Sequence, residues 1–428
     1  MHETEGSTTP SPSAISADLL NERALRCPHT FNQWLHSQAP VFRDADTGFF
    51  VVTRYDDIRY VLTQPKLFSS AATIEVMRAS LSPEKQARQQ ALFDSEGWVP
   101  TPTLSLMDNP RHAEIRALFT NAFRQARIRQ IEPQAKSLAT DLVNQMATEG
   151  IVDMVAAFCA PFPLAVICSQ LGVAEEDIPR VKAWTDAWTR RFSMGLSEQE
   201  EEACIREEIA FQHHFRDIVA CRREQPDETV LSDLINMRLS DGSELSYAEI
   251  VSHLLSDLFV GGAETSTNAL AEGILQWCRQ PSLMTQLRLG DDSAMNHFVE
   301  EVLRLASPVQ GLFRVATQKT AIADIEIPEG ALIHVRFGAA NRDASKFIDP
   351  DLLSMDRANA GSHLAFGSGI HHCVGAPLAR LELRIGFSAL LNRCESLSLV
   401  IEEDALCYLP SLNLRALTQL PVHITSRQ

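Results

Sequence analysis

The sequence lacks the features that define several classes of protein. Its 428 residues contain no run of about 18 apolar residues that could span a bilayer, and the N-terminus has no basic segment followed by an apolar core. The nine cysteines are odd in number and include no Cys-x-x-Cys pair, so they do not resemble a disulfide framework. These absences predict a protein of the reducing cytoplasm that is not held at a membrane.

The sequence also has no excess of basic residues. Thirty-eight Lys and Arg face 55 Asp and Glu, giving a net charge of −17, so general nucleic-acid binding is not expected. The content of 45% hydrophobic and 22% charged residues is typical of a globular protein. Residues 1–14, rich in Ser, Thr and Pro, predict a flexible lead-in. No linker divides 15–428, which we expect to form one domain although roughly 150 residues per domain would allow more.

Hydrophobic periodicity predicts many helices and few strands. Ser246 and Glu249 fit a capping box, so one long helix is expected from Ser246 to about Gln276. The other segments are strands followed by a helix in 40–62, helices in 111–220 with breaks at Pro161, Pro163 and Gly172, a helix in 295–306, strands in 321–337, a helix after Gly375 and a strand-like tail from Cys407. The pattern is mainly α with a minor β part.

The most informative segment runs from Phe366 to Gly375, Phe-Gly-Ser-Gly-Ile-His-His-Cys-Val-Gly. Glycines on both sides of Cys373 allow close backbone approach. The cysteine directly precedes a predicted helix, whose amide N–H groups favour a thiolate. Such a thiolate suits the binding of a flat metal macrocycle. A buried, inert cysteine in a glycine turn is the alternative.

Three other segments carry polar groups at helical spacing. Glu301 and Arg304 are three residues apart and can pair on one helix face, either inside the protein or as an ordinary surface ion pair. His112 and Arg116 are four apart and can reach one anionic group. In the long helix, Gly261-Gly262-Ala263-Glu264-Thr265 interrupts good helix formers, which close helix packing would also explain.

Together these motifs resemble the cytochrome P450 family of haem-thiolate monooxygenases, from about residue 30 to the end. The resemblance implies a triangular, α-rich single domain with haem b between the long central helix and the cysteine-loop helix. Cys373 would be the axial ligand of the iron. Phe366 would shield the thiolate, beside Gly367.

The resemblance also implies roles for the other motifs. Four residues would hold the haem propionates: His112, Arg116, Arg314 and His371. Three would form a buried structural network: Glu301, Arg304 and Arg357. Glu264 and Thr265 would relay protons to bound O2, the co-substrate, in a locally widened helix.

The resemblance implies a largely apolar substrate pocket. Its candidates are Ile74, Met77, Trp98, Val99, Asp257, Val260, Gly261, Val309, Gln310, Leu312 and Leu412. Asp257 is spaced by four from Gly261; it is either bonded to backbone or solvent, or in contact with a polar group of the substrate. Trp184, Trp188 and Phe192 are also spaced by four, as a lid over the pocket or as a plain core stripe.

The expected function is a monooxygenase that takes two external electrons and inserts one oxygen atom into a medium-sized hydrophobic molecule, by hydroxylation or oxidative dealkylation. The electrons would come from a ferredoxin or flavodoxin with an NAD(P)H-dependent reductase. A local basic face could steer that carrier, or be only a solvated helix surface; its members are Arg111, Arg116, Arg124, Arg127 and Arg129. The alternatives are a peroxide-driven peroxygenase, which the intact Glu264-Thr265 pair disfavours, and a non-catalytic haem sensor.

Overall fold

A computed structural model describes residues 25–146, 149–191 and 196–427. The expected flexible lead-in, 1–14, and the possible lid residue Phe192 lie outside this part of the chain.

The described residues are mostly helical. Ten helices precede the central one: α1 (Pro28–Gln38), α2 (Tyr55–Thr63), α3 (Ala72–Ala79), α4 (Pro83–Glu96), α5 (Arg111–Ala122), α6 (Gln125–Gln145), α7 (Pro161–Gln170), α8 (Ile178–Arg190), α9 (Glu198–Glu224) and α10 (Val230–Asn236). The central helix, α11, is a continuous series of three stretches: α-helical Tyr247–His253, π-helical Leu254–Glu264 and α-helical Thr265–Arg279. It is followed by α12 (Ser282–Leu289), α13 (Asp292–Ala306), α14 (Phe337–Ala340) and α15 (Ala376–Arg393). Short helical turns are Leu104–Leu106, Val155–Cys159, Glu175–Asp177, Ala360–Ser362, Gly369–His371 and Glu403–Ala405.

Ten short strands form three sheets in the described residues. They are β1 (Val41–Arg43), β2 (Phe50–Val52), β3 (Phe68–Ser69), β4 (Glu149–Asp153), β5 (Leu312–Ala316), β6 (Thr320–Ile322), β7 (Ile325–Ile327), β8 (Leu332–Val335), β9 (Cys394–Leu399) and β10 (Pro421–Ser426). The largest sheet has the order β1-β2-β8-β5-β3, in which only β2 and β8 are parallel. The others are β4-β10-β9 and the β6-β7 hairpin. Mainly α with a minor β part is therefore confirmed.

The core surrounds the central helix, which is buried on most sides along its second half. Trp277 stacks on Phe298 of α13, with ring centroids 5.6 Å apart, and meets Phe387 of α15 edge-on at 5.2 Å. Gly273 permits this packing, because a Cβ there would lie 2.2 Å from the Phe387 ring. The helix that follows the cysteine loop is thus packed directly against the central helix.

Most predicted elements form, and the exceptions have local causes. The capping box is present, since the Ser246 hydroxyl accepts from the Glu249 amide and the Glu249 carboxylate accepts from the Ser246 amide. The expected break at Pro161 is present, because the preceding helical turn ends at Cys159 and α7 begins at Pro161. Pro163 makes no separate break, because it lies in the first turn of α7, where the missing N–H costs no helical hydrogen bond. Gly172 does end that helix, at φ +67°.

The C-terminal tail is less regular than expected. The strand predicted from Cys407 begins only at Pro421. In the segment between them, Leu414 forms an isolated β-bridge with Val309, and Tyr408 forms one with Leu417. No helix within the described ranges combines the length and the apolar character needed to cross a bilayer.

Candidate active site

The cysteine loop is shaped by two glycines with left-handed backbones. Gly367 has φ +68° and Gly369 has φ +69°, conformations that cost other residues energy. At Gly369 a side chain is also excluded by space, because a Cβ would lie 2.3 Å from the Leu62 carbonyl oxygen. The loop closes on itself where the Cys373 amide donates to the Phe366 carbonyl, 2.9 Å away.

Cys373 lies three residues before α15 and keeps an accessible side chain although it sits deep in the protein. Burial raises the pKa of its thiol, while hydrogen bonds from the Gly375 and Ala376 amides and the nearby charges of Arg116 and Arg380 act in the opposite direction. The sulfur therefore faces the backbone donors of a helix start, as the sequence predicts. A soft anionic donor in this position suits a metal that accepts a thiolate.

Two imidazoles meet beside the cysteine loop. The rings of His112, from α5, and His371 are 4.3 Å apart between centroids. His371 Nε2 is hydrogen-bonded to Ser70 Oγ at 3.0 Å, whereas the buried His112 Nε2 has no partner in the described chain. Burial lowers the pKa of both, that of His371 to about 3, so both rings are neutral donors or acceptors at ordinary pH.

Two guanidinium groups complete this donor cluster. Burial lowers the pKa of Arg314 to about 10, with Asp108 acting against the shift. Burial also lowers the pKa of Arg116, against the influence of Cys373. Neither arginine forms an ion pair with a carboxylate among the described residues; Arg314 Nη1 donates to the Phe313 carbonyl at 2.7 Å.

These donors outnumber the local negative charge. Asp108 accepts hydrogen bonds from Ser69 Oγ at 2.5 Å and from the Ser70 amide at 3.0 Å, so much of its capacity is taken. The unpartnered His112 nitrogen and the two unpaired guanidinium groups fit an anionic ligand with more than one carboxylate. The residues present thus fit a haem, whose propionates and iron require this combination of donors and thiolate.

The structure brings the three expected network residues together beneath the loop. Arg304 makes a bidentate pair with Glu301, with Nε–Oε1 at 2.7 Å and Nη2–Oε2 at 3.0 Å, and Arg357 Nε lies 3.0 Å from Oε1. Glu301 and Arg304 are fully buried. The remaining donors of both arginines bind carbonyl oxygens between Asn341 and Leu352. A buried network in which the carboxylate is paired and all donors except Arg357 Nε form hydrogen bonds fixes the chain leading to the cysteine loop.

The central helix changes its hydrogen-bond pattern where the proton-relay residues lie. The π-helical stretch ends at Glu264, and Thr265 Oγ1 donates to the Gly261 carbonyl at 2.8 Å. Glu264 is mostly buried and lies 3.6 Å from Nζ of Lys182 on α8. Burial raises the pKa of Glu264, while Lys182 acts against the rise; Lys182 also pairs with Asp186.

Two of the expected pocket residues, Asp257 and Gln310, form hydrogen bonds within the protein. Asp257 Oδ2 accepts from the Leu104 amide at 3.1 Å and lies 2.6 Å from His253 Nδ1, so the backbone-bonded alternative describes its contacts. Gln310 is buried and its amide nitrogen donates to the Ala306 and Ser307 carbonyls. Its place in a pocket lining stays a prediction, with the amide nitrogen hydrogen-bonded to its own chain.

Leu412, another expected pocket residue, has apolar neighbours in the structure. It is buried in a cluster with Leu25, Phe31, Leu35 and Val51, under α1. Of the possible lid residues, Trp184 is fully buried against Phe211, His214 and Phe215, which agrees with a core stripe.

The other expected pocket residues divide by exposure. Ile74, Trp98, Val309 and Leu312 are partly buried, Val260 is buried, and Met77, Val99 and Gly261 are exposed. Trp98 is tied by its backbone to the Gln212 side chain.

The expected basic face is largely neutralised. Arg111 pairs with Glu114 and Glu249, and Arg124 and Arg127 pair with Asp233. Arg116 is directed to the cysteine site instead. Three of the five arginines are therefore paired with carboxylates on α10, α11 and a neighbouring turn of α5, whereas Arg116 has no carboxylate partner in the described chain.

Several functional candidates were missed from the sequence. Ser70, Lys182 and Glu382 have no motif of their own and become apparent only through contacts with distant residues. Glu382 of α15 accepts from Ser266 Oγ of the central helix at 2.6 Å and is fully buried.

Comparisons with known proteins agree with this geometry. The family model described as Cytochrome P450 matches residues 196–407. The chain is 31% identical to "Cytochrome P450 109" of Bacillus spizizenii over 95% of this chain and 94% of that protein. It is 33% identical to "6-deoxyerythronolide B hydroxylase" of Saccharopolyspora erythraea over 91% and 94%.

The fold gives the same result. The structure of cytochrome P450 CYP109Q5 from Chondromyces apiculatus superposes with a TM-score of 0.82 at 30% identity, over 96% of this chain and 98% of that one. The chain therefore belongs to the cytochrome P450 family, and it is a haem b-dependent monooxygenase that uses O2 as co-substrate.

Proposed function

We propose that the Cys373 sulfur would bind the haem iron and that His112, Arg116, Arg314 and His371 would bind the propionates. The observation that carries this assignment is the meeting of an accessible cysteine at a helix start with a buried, under-compensated donor cluster. Phe366, whose carbonyl accepts from the Cys373 amide, would shield the sulfur, and Gly367 provides the turn before it. When bound, the haem supplies the iron on which O2 is activated with two electrons.

Glu264 and Thr265 are proposed to deliver protons from the central helix. The Thr265 hydroxyl is fixed by its bond to the Gly261 carbonyl, and Glu264 has a raised pKa in a mostly dry environment. A carboxyl group with a raised pKa holds a proton closer to neutral pH, which suits transfer through the adjacent hydroxyl. This pair favours use of O2 over peroxide, because peroxide arrives already reduced.

The proposed reaction is hydroxylation, or oxidative dealkylation, of a medium-sized hydrophobic molecule. The relative named 6-deoxyerythronolide B hydroxylase supports hydroxylation as the type of reaction. With Asp257 and Gln310 bonded within the protein, the other candidates for the lining are Ile74, Met77, Trp98, Val99, Val260, Gly261, Val309, Leu312 and Leu412, nearly all of them apolar.

The proposed electron donor is a ferredoxin or flavodoxin served by an NAD(P)H-dependent reductase, in the cytoplasm. All nine cysteines are free, which supports a reducing compartment. A groove of about 670 Å³ runs along α5 between Arg124 and Ile370 of the cysteine loop, with His112 and Arg116 in its wall. This groove gives a carrier a short approach to the donor cluster.

The test begins with the reduced protein under carbon monoxide. The wild-type protein is expected to show the absorption band diagnostic of thiolate ligation, and Cys373→Ser to lose it. Cys221→Ser, an exposed cysteine on α9, is the matched control and should keep the band. Retention of the band in Cys373→Ser would overturn the assignment.

The substrate class is tested by screening small molecules for shifts of the haem Soret band, followed by product analysis with NADH and surrogate ferredoxin components. Oxygenated hydrophobic products support the proposal. Ligand shifts without any NADH-dependent product would favour a sensor instead.

A further inference from the structure

A second, partly exposed ion pair lies next to the structural network and involves Glu300, the residue before Glu301 on α13. Glu300 forms a bidentate pair with Arg380 of α15, with Nε–Oε1 at 2.6 Å and Nη2–Oε2 at 2.9 Å. His363 Nε2 lies 3.2 Å from Glu300 Oε2, and His363 Nδ1 accepts from the Ala365 amide. Although burial opposes it, hydrogen bonds from Arg380 and His363 lower the pKa of Glu300 to about 2. The pair is therefore charged at every working pH.

Arg380 reaches from this pair to the cysteine loop. Its guanidinium carbon lies 4.6 Å from the centre of the Phe366 ring, at cation–π distance. The His363 ring is 5.7 Å from the same Phe366 ring. Phe366 in turn accepts the backbone hydrogen bond of Cys373. Arg380 and His363 thus both contact Phe366, whose carbonyl is hydrogen-bonded to the Cys373 amide.

The positive charge of Arg380 also acts on the sulfur of Cys373. It is one of two arginines, with Arg116, whose positive charge favours the Cys373 thiolate. Glu300 holds Arg380 by both oxygens and offsets part of that charge. The balance between Glu300 and Arg380 consequently determines how much positive potential reaches the cysteine loop.

We propose that Glu300 and Arg380 are positioning residues that set the electron-donor strength of the Cys373 sulfur, and with it the reduction potential of the iron that the sulfur binds. This inference rests on the proposed ligation by Cys373. A positive charge near a metal–thiolate unit stabilises the reduced form, which carries one more negative charge. Removing Arg380 and removing the charge of Glu300 should therefore move the potential in opposite directions.

The experiment is an equilibrium dye titration of the substrate-free holoprotein, with the carbon monoxide spectrum recorded for each variant. Arg380→Met is expected to lower the fraction of ferrous protein at a fixed potential by roughly threefold to tenfold. Glu300→Gln is expected to raise it, because the guanidinium charge is no longer offset. Arg380→Lys keeps the charge but loses the bidentate pair with Glu300 and the flat contact with Phe366. Its potential should therefore lie closer to that of the wild type than the potential of Arg380→Met does.

Arg393→Met is the matched control. Arg393 lies on the same helix, thirteen residues and about 20 Å further along, and its substitution removes the same charge. Its potential should equal that of the wild type.

The outcomes separate this inference from the proposed ligation. A wild-type protein without the thiolate band contradicts the ligation itself. With the band present, shifts of the same sign in Arg380→Met and Glu300→Gln, or shifts no larger than in Arg393→Met, overturn the inference. If Arg380→Met does not retain haem, Glu300→Gln and Arg380→Lys decide it: a raised potential in the first and a near wild-type potential in the second support it, and a lowered or unchanged potential in Glu300→Gln refutes it.

Discussion

Lys182 Nζ lies 3.6 Å from Glu264 Oε1, joining α8 to the central helix next to the proposed oxygen-activation pair. The contact is largely removed from solvent, and Asp186 shares the lysine. The position of α8 and the charge of Glu264 are therefore coupled, because moving the helix would leave a buried carboxylate without its cation.

Lys182→Met should raise the pKa of Glu264 further. Burial already raises this pKa, and Lys182 is the group that opposes the rise. Glu264 should then ionise at a higher pH, which can be measured from the protonated carboxyl band in difference infrared titrations, with Glu264→Gln used to assign the band. Lys136→Met, which removes an exposed pair with Glu132, is the control. An unchanged titration would mean that Lys182 does not act on Glu264.

Thr265→Ala should uncouple NAD(P)H consumption from product formation. The substitution removes the hydroxyl fixed at Gly261, and proton transfer by a positioned group is worth a factor of ten or more, so product per NAD(P)H should fall on the order of tenfold. Thr265→Ser keeps the hydroxyl and should remain close to the wild type. Unchanged coupling in the alanine variant would exclude the role.

Asp257→Ala should release the segment that begins at Leu104. The carboxylate accepts one backbone hydrogen bond there and pairs with His253, and losing a buried charged acceptor costs about 2 kcal/mol in the free energy of unfolding. Denaturant titration measures this loss. Ser256→Ala, which removes a weaker 3.4 Å contact with Thr103, should cost less. A variant of normal stability that instead loses affinity for its substrate would favour the substrate-contact alternative.

Glu382→Gln should change how stability depends on pH. Burial raises the pKa of Glu382 to about 8 from 4.5, so between these values the folded protein keeps a proton that the unfolded chain has released. The free energy of unfolding should then fall with rising pH by up to about 1.4 kcal/mol per unit until about pH 8, and level off above it. Urea titrations from pH 5 to about pH 9 should show a smaller fall in Glu382→Gln than in the wild type. Equal slopes would show that Glu382 does not carry this dependence.

Arg304→Met should cost about 3–5 kcal/mol, because it leaves a fully buried Glu301 with only part of its partners. Chemical denaturation with loss of bound haem is the readout. Glu326→Gln breaks the exposed pair with Lys319 and should leave stability unchanged. A comparably small effect of Arg304→Met would mean that the network does not hold the loop.

The sequence predicted those features whose determinants are close together along the chain. The capping box at Ser246 and Glu249, and the pair of Glu301 and Arg304, each follow from a spacing of three residues. The glycines around Cys373 likewise indicate a turn. Such patterns are local, so helical geometry alone brings their members together.

What could not be predicted depends on contacts between distant residues. Asp257 meets Leu104 across 153 positions of sequence, and Lys182 meets Glu264 between two different helices. Gln310 resembles a pocket residue by position, yet its side chain bonds carbonyls three and four residues before it. The pairs of Arg111 with α11 and of Arg124 and Arg127, at the start of α6, with α10 could not be predicted for the same reason, since the net charge of a segment does not reveal which partners fold beside it.

The π-helical stretch Leu254–Glu264 has a consequence for alignment along the central helix. The backbone hydrogen bonds of a π-helix span five residues instead of four, so each residue in this stretch turns the chain by a smaller angle than the roughly 100° of an ordinary α-helix. Rewinding the same eleven residues as ordinary α-helix would rotate everything beyond Thr265 about the helix axis. Trp277 would then leave its stack on Phe298. The aromatic core and the placement of Thr265 therefore depend on the same π-helical stretch.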